Sequence, residues 1–230
     1  AQGVPPGRIH LRPIGIDLTK VDAARDVAVA PSDPFRILAV ARHVENKGLD
    51  DLLRAVASLP SGLAERTELV MIGDGPLRGR LEALARSLGV ASRTHFLGAR
   101  PHEEVLRALH QAHLFCVPSR TAVRGDAEGL GMVFIEAAAA GLPVVSTRHG
   151  GIVEAVDDGR SGFLVEEGRP DLLAQRIASL LRDPDTARAM GRRGRAFVEK
   201  RYDIRVCTAR LEDLYERIAG TASVRRDAVS

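Results

Sequence analysis

The chain has 230 residues, 45% hydrophobic and 27% charged, an ordinary globular composition with enough length for one sizeable core. A formal net charge of +3 and 3% aromatic content argue against nucleic acid as a partner, which would need a basic footprint and stacking surfaces. No apolar run reaches the roughly 18 residues of a membrane span, and Cys116 and Cys207 have neither metal-ligand nor redox spacing.

In chain order, residues 9–11 read as a short strand and 13–17 as the turn after it. Residues 19–34, polar, alanine-rich and closed by Pro31-Ser-Asp-Pro34, read as a connector. Residues 36–41 form the first strand, with an apolar run after Arg36 continuous enough to be buried on both faces of a parallel sheet. Leu49, Leu52, Leu53, Val56 and Leu59 share one face of a helix over 49–59. A strand at 68–72 runs into Gly73-Asp-Gly-Pro76 and a helix over 77–88. A strand at 94–97, a helix over 103–110 and a strand at 112–117 follow. Further on come a strand at 143–146, a helix over 152–156 and a strand at 162–165. Helices over 170–182, 185–200 and 204–219 then precede a polar tail, 221–230. Strands alternating with helices predict the α/β class, a Rossmann-like parallel sheet flanked by helices.

Residues 125–141 carry the strongest signal. Gly125, Gly129 and Gly131 make a turn-rich loop, four alanines favour helix, and Gly141 suits its C-terminal cap. Between strands, this is a βαβ unit whose loop lies where doubly wound sheets bind ligands. A helix opened by glycines offers unpaired N–H groups to an anion. Glu128 lies just before that terminus, and Glu136 about one and a half turns inside, roughly 7 Å further on. One carboxylate beside an anion site and another a sugar's length away suit a nucleoside diphosphate sugar. Arg42 and Lys47, after the first strand, can converge on a diphosphate. Glu136 offers two oxygens to the vicinal diol of a ribose.

Two glutamates separated by seven residues, an alanine-rich helix and Gly141-Leu-Pro-Val-Val-Ser-Thr147 resemble the retaining glycosyltransferases of family 4. The resemblance runs from about residue 13 to 215 and matches only the C-terminal, donor-binding half of their two-domain GT-B fold. It implies that residues 1–18 are a hinge remnant and 19–220 the nucleotide-sugar-binding domain. Arg42 and Lys47 would hold the donor diphosphate, Gly73 would let the backbone approach the donor, and Leu97 in Phe96-Leu-Gly98 would lie against the base. Glu136 would bind the ribose. Glu128 would be catalytic, contacting the transferred sugar and stabilising oxocarbenium character. The N–H groups of Gly129, Leu130, Gly131, Met132 and Val133 would neutralise the leaving diphosphate, so neither metal nor cofactor is expected beyond the donor. The acceptor-binding half is expected before residue 1, with a glycan or lipid-linked acceptor. This chain alone is then expected to bind donor without transferring sugar. A cytoplasmic location is expected, with membrane association of the full-length enzyme left open.

One departure from the family pattern is the stretch 120–127 between Pro118-Ser119 and Glu128, which makes Asp126 a rival to Glu128. His43 and His149 lie at the expected mouth, in reach of donor, whereas His102, His110 and His113 read as surface. Ser119 lacks the glycine setting of a hydrolase nucleophile. Ile204, Thr208, Leu211, Leu214, Tyr215 and Ile218 form an apolar stripe on the last helix. A sugar-nucleotide epimerase, a non-catalytic nucleotide-binding module and a dehydrogenase are the rival readings. The first lacks further catalytic acids, the second needs none of Arg42, Lys47, Glu128 and Glu136, and the third lacks a full glycine fingerprint.

Overall fold

The computed structural model describes residues 3, 5, 9–25, 34–122, 129 and 131–220. Six strands form one sheet: β1 (Phe35–Val40), β2 (Thr67–Ile72), β3 (Thr94–Gly98), β4 (Leu114–Cys116), β5 (Val144–Thr147) and β6 (Gly162–Val165). All neighbours pair in parallel, in the order β3-β2-β1-β4-β5-β6. Every strand therefore ends at the same edge, and the order reverses between β1 and β4. At such a reversal successive connections leave on opposite faces and open a crevice outside the carboxyl ends of the strands.

The helices are α1 (Leu18–Ala23), α2 (Leu49–Ala57), α3 (Ser61–Ala64), α4 (Arg78–Ser87), α5 (His102–His110), α6 (Met132–Ala139), α7 (Ile152–Ala155), α8 (Pro170–Arg182), α9 (Pro184–Tyr202) and α10 (Ile204–Ile218). Burial follows the hydrophobic pattern. Ile37, Leu38 and Ala39 of β1 are inaccessible, as are Leu52, Leu53 and Val56 of α2. The predicted apolar stripe of α10 divides, with Leu214 buried and Ile204, Leu211, Tyr215 and Ile218 left on the surface.

Three expectations need correction. Residues 9–11 form no strand; the N-terminal segment instead ties Ile16 to the α9–α10 junction through Ile16 N–H to Tyr202 O (2.7 Å) and Ile204 N–H to Ile16 O (2.9 Å). The expected connector begins as α1. Asp17 caps it by accepting the Thr19 N–H (3.0 Å), Leu18 and Val21 turn inward, and Asp22 meets the Arg195 guanidinium of α9 at 2.6 Å. β4 stops after three residues because Ser146 Oγ takes the Val117 carbonyl (2.7 Å) and Pro118 has no N–H for the ladder.

The alanine run serves packing as well as propensity. α6 buries Phe134, Ile135 and Ala137 to Ala139, and it closes with Gly141 at φ 83°. There the Leu142 N–H reaches the Ala137 carbonyl and the Gly141 N–H reaches the Ala138 carbonyl, both at 3.0 Å, which is the Schellman arrangement. Small side chains let α9 come close. A Cβ on Gly191 would lie 1.8 Å from the Gly141 carbonyl oxygen, whereas one on Gly194 would sit in ordinary contact, 3.4 Å from Ala138 Cβ. Gly191→Ala is therefore expected to destabilise the fold by about 1–3 kcal/mol through overpacking. Gly194→Ala, with the same helix-propensity gain of up to about 1 kcal/mol, should be neutral or stabilising. Urea denaturation of the two variants checks the contrast.

Candidate functional site

The loops leaving β1, β2, β3 and β4 are locked together at the carboxyl edge. Gly73, at φ 131°, lies so close to β1 that a Cβ would fall 1.9 Å from the Ala41 carbonyl oxygen. Gly75, at φ 157°, packs against His43 with 2.6 Å between an added Cβ and that carbonyl. Hydrogen bonds run from His43 N–H to Asp74 O (2.8 Å), from Leu77 N–H to His43 O (3.0 Å) and from Gly73 N–H to Gly98 O (2.9 Å). Across the reversal, a Cβ on Gly48 would lie 2.0 Å from the Pro118 carbonyl oxygen, and Arg120 N–H reaches Asn46 O at 2.9 Å. The Arg120 guanidinium then bridges Asp50 (3.0 Å) and Asp51 (2.8 Å) at the start of α2.

Within this frame Arg42 is exposed just beyond β1, and Lys47, half-buried, ends a 3-10 turn over Glu45–Lys47. Leu97 stands 41% exposed near the end of β3, a large apolar side chain on the rim of the edge. Gly131 precedes α6 in the left-handed region, φ 64°, and among the described residues no side chain caps that terminus. The N–H groups of Met132 and Val133 thus open the helix toward the edge. Glu136, one turn further, has 15% of its side chain exposed and its Oε1 lies 2.9 Å from His102 Nε2 at the start of α5. Gly129 is exposed. Glu128, its rival Asp126, and Leu130 lie outside the described residues. The topology thus brings Arg42, Lys47, Gly73, Leu97, Gly131, Met132, Val133 and Glu136 to one edge.

His43 and His149 depart from expectation. His43 is fully buried, its ring edge-on to Phe96 with centroids 6.1 Å apart, and His149 is 3% exposed with Nδ1 2.6 Å from Glu167 Oε1. Neither ring lies open at the mouth. Burial alone would raise the Glu167 carboxyl; the Thr121 N–H on Oε2 (2.9 Å) and His149 outweigh it and hold the acid below the usual range. Glu167 therefore clamps the chain entering 120–127 to the loop after β5. Of the three histidines expected at the surface, His102 is exposed as expected and His110 and His113 are partly covered, and each has a partner. His110 Nε2 meets the Val21 carbonyl at 2.7 Å, His113 Nδ1 accepts the Arg36 N–H at 3.0 Å, and His102 holds Glu136. Arg120 and Glu167 carry no role in the sequence reading, and His102 is read there only as surface, because each is defined by a partner on another element. The one available signal was that the start of α5 and the start of α6 must share an edge in a parallel sheet.

His43 also carries a stability prediction. Among the described residues neither of its ring nitrogens has a hydrogen-bond partner. Burial pushes its pKa below the ordinary 6.5, opposed by the nearby Asp74. The unfolded chain then binds a proton that the folded one refuses, so stability falls as pH drops below about 6.5. His43→Leu, which removes that uptake, should gain stability over the parent at pH 5.5 by more than at pH 8. Parallel urea titrations at the two values measure the difference.

Comparison with known proteins agrees with this architecture. The family described as "Glycosyl transferases group 1" matches residues 20–197. The chain is 38% identical over 179 residues to the "GDP-mannose-dependent alpha-(1-6)-phosphatidylinositol monomannoside mannosyltransferase" of Mycolicibacterium smegmatis, covering 77% of this chain and 47% of that protein. It is 34% identical over 222 residues to the "Amylovoran biosynthesis glycosyltransferase AmsK" of Erwinia amylovora, covering 95% and 53%. Sucrose-phosphate synthase from Thermosynechococcus elongatus superposes with a TM-score of 0.77 at 28% identity, over 92% of this chain and 53% of that one. The chain thus spans about half the length of the curated relatives it matches.

Proposed function

Because the chain belongs to the group 1 glycosyl transferases, we propose that it is the donor-binding, C-terminal half of a retaining GT-B enzyme of family 4. On this reading the whole enzyme moves a hexose from a nucleoside diphosphate sugar to a glycan or lipid-linked acceptor. The observation that carries it is the gathering of two cations, a glycine-opened helix and a half-buried glutamate at the edge where β1 and β4 diverge. A scaffold needs no such set. The names of the relatives support the reading, one a GDP-mannose-dependent mannosyltransferase and one acting in amylovoran biosynthesis.

The chemistry follows from where charge develops. When the bond from the anomeric carbon to the diphosphate breaks, negative charge grows on the phosphate oxygens. Arg42, Lys47 and the N–H groups from Gly129 to Val133 face that charge, the helix dipole adding to them. Positive charge grows on the sugar ring, where Glu128 is assigned the stabilising contact. The acceptor hydroxyl then attacks on the face the diphosphate leaves, and a phosphate oxygen takes its proton. Gly73 and Leu97 flank the nucleoside, and Glu136 receives the ribose hydroxyls. No step requires a metal. The acceptor-binding half is assigned outside this chain, so the 230 residues by themselves bind donor and transfer nothing.

Titration calorimetry of the chain with UDP, GDP and ADP tests the reading. One diphosphate should bind in preference to the others, unaffected by excess EDTA. Glu136→Ala should weaken it about 10- to 100-fold, the range for losing charged hydrogen bonds to a diol, and Arg42→Ala should weaken it comparably. Absence of binding by all three, or affinity untouched by both substitutions, would refute it.

A further inference from the structure

The contact between His102 and Glu136 has no structural necessity. His102 is the first residue of α5, with 59% of its side chain exposed, and Glu136 lies on α6, thirty-four residues on in sequence. An imidazole this exposed adds little to the core. Its effect is on the carboxylate. A glutamate side chain has three rotatable bonds, and this one is 15% exposed where it leaves α6. The carboxylate can only accept, so the contact at 2.9 Å puts the proton on His102 Nε2 and engages Oε1. Among the described residues no other hydrogen bond engages the Glu136 carboxylate, which leaves Oε2 and the remaining lone pair of Oε1 for a ligand.

We infer that His102 is a positioning residue for the nucleotide: it fixes the Glu136 carboxylate in the orientation that receives the ribose hydroxyls. The inference rests on the assignment of Glu136 to the ribose. Three features of the placement favour it over a chance surface pair. The imidazole comes from the first residue after the loop 99–101 that leaves β3, the strand carrying Leu97 and Gly98, so nucleoside wall and carboxylate are tied by one side chain. Gly98 in turn accepts the Gly73 N–H at 2.9 Å, which links the same wall to the β2 exit. And the Glu136 side chain is mostly covered and hydrogen-bonded before any ligand arrives, so the conformational entropy of ordering the acid is lost on folding rather than on binding. Ordering a polar group before its ligand arrives raises affinity without adding a contact to that ligand.

The test is a cycle between the protein and the sugar of the ligand. Dissociation constants are measured for UDP, GDP and ADP and for their 2′,3′-dideoxy counterparts, with the unmodified chain, His102→Ala and His102→Gln. His102→Ala should weaken the ribonucleotide that binds about 3- to 10-fold, the worth of one hydrogen bond, and leave the dideoxy form at parent affinity. His102→Gln, which keeps an N–H donor on a side chain of similar reach, should recover most of the loss. Equal weakening of both ligand forms would mean a structural role and overturn the inference. So would unchanged affinity in His102→Ala while the parent still prefers ribose to dideoxyribose. If the parent shows no such preference, the ribose assignment of Glu136 fails first, and the role of His102 with it. Melting temperatures of the two variants, expected within a degree or so of the parent for an exposed side chain, separate misfolding from all of these outcomes.

Discussion

The close approach of the loops after β1 and β4 is the constraint on which the rest of the site depends. A parallel sheet in the order β3-β2-β1-β4-β5-β6 must send the connections after β1 and β4 to opposite faces. The gap between them is then a property of topology. What the sequence adds is a means of keeping that gap narrow. Gly48 leaves no room for a side chain beside the Pro118 carbonyl, Arg120 N–H holds Asn46 O, and its guanidinium holds two aspartates of α2. The half-buried Arg120 is worth more than a surface ion pair, since removing it would leave Asp51 almost covered beside Asp50. Arg42 and Lys47 are carried by the same segment, so the lock that narrows the crevice also sets where the cations stand.

α6 shows how stability and function share one element. Its first turn faces the edge, with no side chain capping it among the described residues, and Glu136 projects one turn later. Its second half is alanine, and it is covered by α9 at a distance only Gly191 permits. A helix so nearly buried on all sides cannot shift without moving both neighbours. Its open end is consequently held at a fixed distance from the strand exits, which is what binding a diphosphate of fixed geometry requires. Dense packing at one end of the helix thus keeps the other end, which no side chain caps among the described residues, in place.

Strands and long helices were legible in the sequence for a simple reason. Strands buried on both faces are continuous apolar runs, and α2, α8 and α9 carry a face or a cap that can be read locally, such as Asp183 accepting the Thr186 N–H before Pro184. The glycine-opened helix was legible too, because its chemistry is local. The rest was set by partners far along the chain. α1 has only Leu18 and Val21 as an inward face, and its anchor on Arg195 lies 173 residues away from Asp22. His149 looks like a mouth residue until Glu167 is folded onto it, and His102, at the surface as read, gains its partner only when α6 arrives. A histidine has no fixed preference for burial, so its role follows from its neighbours rather than from its position in a motif.

The central claim is that a nucleoside diphosphate occupies the carboxyl edge at the β1–β4 reversal, and amide hydrogen exchange with and without the bound diphosphate tests it most directly. Protection should appear in three separated segments, 41–48, 97–102 and 131–136, and in none of the strand starts on the opposite edge. Protection confined to that opposite edge, around Phe35 and residues 112–114, would contradict the account, as would tight binding that slows exchange in none of the three segments.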